Sequence, residues 1–205
     1  MPEPFSPLDT PWKLHNQLGR WLIYPYLRAL FALHGVAWGP GWKLYGAPLL
    51  LKHRRSSISF GPGLSLRSTL RANPLGANHR VVVCTWQPGA VLQVGRDFAM
   101  TGGVLCAARS IIIGDRVTVG ANTTIIDTDF HPLKAAARQA DPNAGAAACV
   151  VIEDDVFIGM SCLLLKGVRV GRGAVIGAGS VVTGDIPSGA IAAGNPARVV
   201  GLTEK

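Results

Sequence analysis

Apolar side chains in the second half of the chain recur every six positions. Stepping by six from Ile152 meets Ile158, Leu164, Val170, Ile176 and Val182, an aliphatic residue each time. Four positions after these come Val156, Cys162, Val168, Ala174, Ser180 and Ile186, mostly small or β-branched, and glycine directly follows the aliphatic at Gly159, Gly171 and Gly177. The same register returns upstream as Ala107, Ile113, Val119 and Ile125, with Ile111, Val117 and Thr123 in the fourth-following place and Gly114 and Gly120 after the aliphatic. Val94, Gly95 and Phe98 keep the pattern before a one-residue slip to Thr101 and Leu105. Before residue 90 the phasing is poor, with Ile58, Leu64 and Leu70 as a degenerate first turn. A six-residue unit cannot bury an apolar face alone, so the pattern predicts stacked units: a parallel β-helix, each hexad a short strand and each glycine-containing join a corner. The missing helices exclude a doubly wound α/β sheet.

The first 50 residues are built differently. Leu14, Leu18, Trp21, Leu22, Leu30 and Phe31 recur near helical spacing with Arg20 and Arg28 between them, and Pro25 predicts a break into two short helices at Tyr24-Pro25. The chain therefore divides into a basic, aromatic helical cap over 1–55, a mainly β body over 56–200 and a tail over 201–205. The best-phased repeats run over 94–130 and 152–187, with an inserted loop over 131–148.

Charge sharpens this division. Residues 1–80 hold ten Lys/Arg against Glu3 and Asp9, whereas residues 81–205 hold ten against ten, so the net charge of +8 belongs to the first part. Trp12, Trp21, Tyr24, Tyr26, Phe31, Trp38, Trp42 and Tyr45 also precede residue 50. The 25 glycines and 14 prolines lack the three-residue period of collagen and fit many tight turns instead. No charge-free run is long enough to span a membrane, and an opening of Pro2, Glu3 and Pro4 does not resemble a signal peptide. Cys84, Cys106, Cys149 and Cys162 lie at no zinc-binding spacing and read as packing residues of a reduced, cytoplasmic protein. The segment 1–55, with its Lys52-His53-Arg54-Arg55 cluster, has two readings: a cap on the open end of the β-helix, or peripheral contact with the inner face of a membrane. Nucleic acid is not expected, because no reader motif accompanies the charge.

With these hexads, the run Asp127-Thr128-Asp129-Phe130-His131-Pro132 opening a long insertion, Ile158-Gly159-Met160-Ser161, Leu165-Lys166-Gly167-Val168 and the closing Gly194-Asn195-Pro196-Ala197-Arg198, the chain resembles the hexapeptide-repeat acyltransferases. Within them it is similar to the enzymes that acetylate sugars: galactoside, maltose, nodulation-factor and exopolysaccharide O-acetyltransferases. The resemblance covers roughly residues 90–200 and implies a left-handed parallel β-helix, acetyl-CoA as co-substrate, a sugar or glycan precursor as acceptor, a role in polysaccharide assembly and a homotrimer with sites between subunits. It makes His131 the general base, and a neutral imidazole, titrating in water at about 6.5, suits proton transfer from an alcohol.

Asp127 and Asp129 are candidates for acceptor binding or for orienting the imidazole, against plain turn chemistry. For acetyl-CoA the resemblance implies backbone N–H groups at Met160 and Ala178, Thr183 as a further cofactor-binding residue, and Lys166 and Arg198 as cations for the adenosine phosphates, against ordinary solvent exposure. Gly184 and Gly201 stand where the family often has Lys and Arg. The insertion, with Lys134 and Arg138, is expected to act as a flap. The alternative to an enzyme is a noncatalytic hexapeptide-repeat scaffold or regulatory subunit, which has no reason to keep the DxDFHP run. A zinc-dependent relative of this fold would need three histidines on neighbouring coils, and no metal is expected because His131 is the only histidine over residues 90–200.

Overall fold

Three parallel sheets wrap one apolar core in a computed structural model that describes residues 9–203. Pro2, Glu3, Pro4 and the last two tail residues lie outside the described residues. The first coil holds β1 (Lys43–Tyr45), β2 (Leu49–Lys52) and β3 (Ser57–Phe60); the second holds β4 (Ser65–Arg67), β5 (Val82–Thr85) and β6 (Val91–Val94). The third is β7 (Ala99–Thr101), β8 (Val104–Ala107) and β9 (Ser110–Ile113), and the fourth β10 (Thr118–Val119), β11 (Thr124–Ile126) and β12 (Val150–Ile152). The fifth is β13 (Phe157–Ile158), β14 (Leu163–Leu164) and β15 (Arg169–Val170). β16 (Val175–Ile176) and β17 (Val181–Val182) form the sixth, whose last side is a bridge from Ile186 to Val170. β18 (Ala190–Gly194) continues the first side, and β19 (Ala197–Leu202) folds back against it antiparallel. First strands of successive coils pair with one another, as do second and third strands, giving the three sides of a left-handed β-helix.

The hexad explains this geometry. Ile152, Ile158, Leu164, Val170, Ile176 and Val182 are all buried, and so are the six fourth-following residues from Val156 to Ile186. A corner then follows each aliphatic. A Cβ on Gly159 would meet the Ala178 backbone nitrogen of the next coil at 2.5 Å, so glycine here permits the close stacking of corners. Two residues later the corner takes a left-handed conformation, adopted by the non-glycine residues Asp97, Arg116, Asn122, Asp155 and Ser161.

Three features depart from the expectations. The β-helix begins at Lys43, before the division drawn at 55/56 from composition, because Leu44 and Leu50 already point into the core. Phasing is lost before residue 90 because residues 68–81 leave the coil in an excursion with a 3-10 turn at Leu70–Ala72, and Leu70 is exposed where Leu64 is buried. The predicted two helices are one, α1 (Pro11–Leu33). Pro11 starts it, where a missing N–H costs nothing, and Pro25 interrupts a single hydrogen bond on the exposed side while the buried side stays continuous. That buried side closes the open end of the β-helix: the Phe31 ring lies 5.3 Å from Trp42 and 6.5 Å from Phe60, and the Tyr24 hydroxyl donates to the Trp42 carbonyl at 2.6 Å.

Candidate functional site

The insertion leaves the corner between the second and third sides of the fourth coil and contains a short helix, α2 (Ala135–Ala140). His131 stands exposed at its mouth. Its Nδ1 lies 2.5 Å from the carbonyl oxygen of Pro142, in the returning arm. A carbonyl can only accept, so Nδ1 carries the proton, and the neutral ring keeps its lone pair on Nε2. The approach of the two arms is tight: a Cβ on Gly145 would meet the Phe130 carbonyl carbon at 2.4 Å.

The two aspartates separate. Asp127 is fully buried, and its carboxylate accepts from the N–H groups of Ala108 at 2.6 Å, Arg109 at 2.7 Å and Ser110 at 2.6 Å. This differs from the expectation of an acceptor ligand: the carboxylate ties down the corner of the preceding coil and is spent on backbone. Asp129 is partly open, and its carboxylate lies 3.4 Å from the Lys166 ammonium. Lys166, expected at the adenosine phosphates, is thus placed beside the His131 loop, because the fourth and fifth coils stack their corners. One aromatic neighbour of the loop was not singled out by any motif: Trp86, exposed on the second coil, packs edge-on against Phe130 at 6.0 Å. Register is the signal that points to it, since Trp86 follows β5 as Ala108 follows β8, one coil apart on the same edge.

Met160 and Ala178 lie on a different edge, between the first and second sides. They line a groove of about 430 Å³ running over Thr101, Gly120, Ala121 and Gly159, with Asn73 and Leu75 of the 68–81 excursion as its far wall. Among the described residues neither the Met160 nor the Ala178 N–H has a protein acceptor, so two backbone donors stand open in an apolar trough. Arg198 is exposed on β19 opposite Ala193, whose Cβ is the nearest atom to a Cβ on Gly177 at 3.0 Å, which sets it at the end of this groove. Thr183 is exposed at the corner after β17, on the His131 edge and away from the groove.

Cys84, Cys106 and Cys162 are buried and Cys149 is exposed. Burial pushes the Cys162 thiol up, and its Sγ donates to the Gly177 carbonyl at 3.2 Å, consistent with a packing role. Among the described residues no three His, Cys, Asp or Glu side chains are grouped as metal ligands.

Family models match both well-phased stretches: residues 149–184 match the bacterial transferase hexapeptide (six repeats), and residues 103–126 the hexapeptide repeat of succinyl-transferase. Both stretches carry hexapeptide repeats. Over 55 residues the chain is 54% identical to a 2,3,4,5-tetrahydropyridine-2,6-dicarboxylate N-acetyltransferase of Staphylococcus aureus; the match takes in 27% of the chain and 23% of that curated relative, about a quarter of its length. Among solved structures it is similar in fold to a maltose O-acetyltransferase from Clostridium difficile, at 21% identity and a TM-score of 0.53 over 98% of this chain and 92% of that one. A galactoside acetyltransferase in complex with coenzyme A matches at 20% identity and TM-score 0.55, over 98% and 86%. A hexapeptide-repeat acetyltransferase of Vibrio cholerae complexed with acetyl-CoA matches at 20% identity and TM-score 0.52, over 99% and 94%.

Proposed function

We propose that the protein is an acetyl-CoA-dependent O-acetyltransferase acting on a hydroxyl of a sugar or glycan precursor, with His131 as general base. The observation that carries this reading is the His131 Nδ1 contact with the Pro142 carbonyl, which leaves Nε2 as a basic lone pair at an exposed edge. The named activities of the maltose and galactoside enzymes of like fold support the class of acceptor.

The groove that holds Met160 and Ala178 fits the pantetheine arm of acetyl-CoA, because its open N–H groups match amide carbonyls and its walls are apolar. Arg198, at the end of the groove, fits a phosphate. Bound there, acetyl-CoA supplies an activated thioester carbonyl. His131 takes the acceptor's hydroxyl proton at Nε2 as the oxygen attacks, and returns it to the departing sulfur. Backbone N–H groups supply hydrogen bonds to the oxyanion that develops. Asp129, held by Lys166, is the carboxylate near enough to the loop to receive an acceptor hydroxyl.

His131 and the groove lie on different edges of one chain, so a site using both takes its parts from two copies. A closed ring of three, each edge meeting the next copy's groove, gives three equivalent sites, and a homotrimer is the proposed assembly. The donor's supply puts the reaction in the cytoplasm. A second reading, transfer to an amine, is favoured by the N-acetyltransferase relative; the same base and groove would serve it, and paired assays with hydroxyl and amino sugars separate the two.

His131→Ala tests the chemistry. The side chain is exposed, so coenzyme A affinity and oligomeric mass should stay close to the parent's while acetyl transfer falls by ~10²–10⁴. Transfer at the parent rate would overturn the assignment and favour a scaffold.

A further inference from the structure

We propose that α1 lies flat on an anionic lipid surface, with its outward face in the boundary between headgroups and acyl chains, and holds the N-terminal end of the β-helix there. This inference is independent of the acyl-transfer reading. α1 is apolar on both sides. Leu27 and Phe31 seal the coil, while Leu14, Leu18, Trp21, Leu22, Tyr26 and Leu33 stand on the opposite side, with Leu22 and Leu33 83% and 84% exposed. Capping the β-helix accounts for the first face and leaves the second unexplained. A long helix with a basic flank and an outward face of Leu, Trp and Tyr is the kind that settles at a bilayer interface. No described helix is long and apolar enough to cross a membrane, so the helix would lie on the surface.

Charge selects the occupant. From residue 10 to residue 95 there is no Asp or Glu, against ten Lys and Arg. Elsewhere in the molecule arginines are paired: Arg96 with Asp115 at 3.0 Å, Arg172 with Asp154 at 3.0 Å, and Arg116 with Asp155 at 2.5 Å. Around α1, Arg20 and Arg28 face rings instead, 5.3 Å from Trp21 and 5.2 Å from Trp38, and the buried Arg20 Nε has no hydrogen-bond partner. Arg20, Arg28 and Lys43 converge on an open cleft of about 580 Å³ between Trp21 and Trp38, suited to a phosphate headgroup. A second copy of α1 would set these cations against like charges, whereas an anionic bilayer neutralises them and covers the leucines at once.

Flotation of the full chain with phosphatidylcholine vesicles, with and without phosphatidylglycerol, tests the idea. Binding should appear on the anionic vesicles at low salt and weaken about tenfold or more on neutral vesicles or near 0.5 M salt, where the screening length is a few ångströms. Leu18→Glu combined with Leu22→Glu replaces two exposed side chains; it should lower anionic-vesicle binding about tenfold or more while thermal midpoint and oligomeric mass hold. Arg28→Glu should weaken binding too. Soluble glycerophosphate that displaced the protein from vesicles as the free headgroup would mark a phosphate site without membrane insertion and overturn the proposal. So would absent flotation at low salt, full binding by the double Glu variant, or a change in its oligomeric mass with lipid binding intact, which would make the face a contact between copies.

Discussion

The N-terminal end and the last coils are the same β-helix closed in two different ways. From β13 to β17 every strand is two residues long and the six-residue period is strict, and a ladder of charges runs up the corner between the third and first sides from the third coil on, with Asp115, Asp154 and Asp155 answering Arg96, Arg116 and Arg172. Before β10 the strands are three or four residues long, residues 68–81 leave the coil, and large aromatics fill the end: Phe31, Trp42 and Phe60. A repeat that has a neighbour on each side needs only small and aliphatic side chains, because the next coil supplies the other wall. The terminal coil lacks that wall. It borrows one from α1, at the cost of a second apolar face and of Arg20 and Arg28 set against aromatic rings.

The largest expected effect falls between these regions, at Asp127, which ties the third coil to the fourth. Asp127→Ala would remove the acceptor of three part-buried N–H donors, costing on the order of 3 kcal/mol. A thermal midpoint within a degree of the parent's would show that the coils hold register without it. Next comes one substitution made in both regions. Gly159→Ala places a methyl 2.5 Å from the neighbouring coil's backbone and should destabilise by about 1–3 kcal/mol. Gly19→Ala in α1 meets nothing within 4 Å and should stabilise by about 0.5–1 kcal/mol. Denaturant melts giving both changes the same sign would erase the contrast.

The smallest effect is titration of the ladder. A hydrogen bond from Arg116 holds the Asp155 carboxyl below the usual carboxylate range, and the Arg172 backbone N–H, with Arg169 beyond it, does the same for Glu153. Both values are depressed on folding, so their stabilisation is present above the unfolded pKa and is lost as the pH falls through the folded one. Acid melts of Asp155→Asn should therefore show a shallower loss than the parent below about pH 4. Because the groups are exposed, the difference should shrink further in high salt, and identical slopes would mean that the ladder contributes nothing measurable.

The order of coils was legible because burial enforces it residue by residue: each of the six aliphatics from Ile152 to Val182 must face inward, so the period is written in the chain. Cys162 could be read the same way, from its slot. Asp127 and Asp129 could not be told apart, since both stand in one DxD run and only the stacking of the third and fourth coils decides which carboxylate meets three backbone N–H groups and which meets Lys166. Pro25 misled for a related reason. A proline breaks a helix when nothing holds its two halves in line, and here the packing of Leu27 and Phe31 against the end of the coil does so.

By itself, then, the sequence determined the repeat, the corners, the basic aromatic beginning and His131 at the mouth of an insertion, because these follow from short-range period and residue chemistry. The tertiary structure decided the rest: that the coil begins at Lys43, that Pro142 turns the His131 ring, that Trp86 stands beside Phe130, and that the donor groove and the histidine occupy different edges. Each of these depends on residues brought together by successive turns of the coil or by the return of a loop. Such contacts join positions whose separation along the chain carries no period, and only the completed stack brings them within reach.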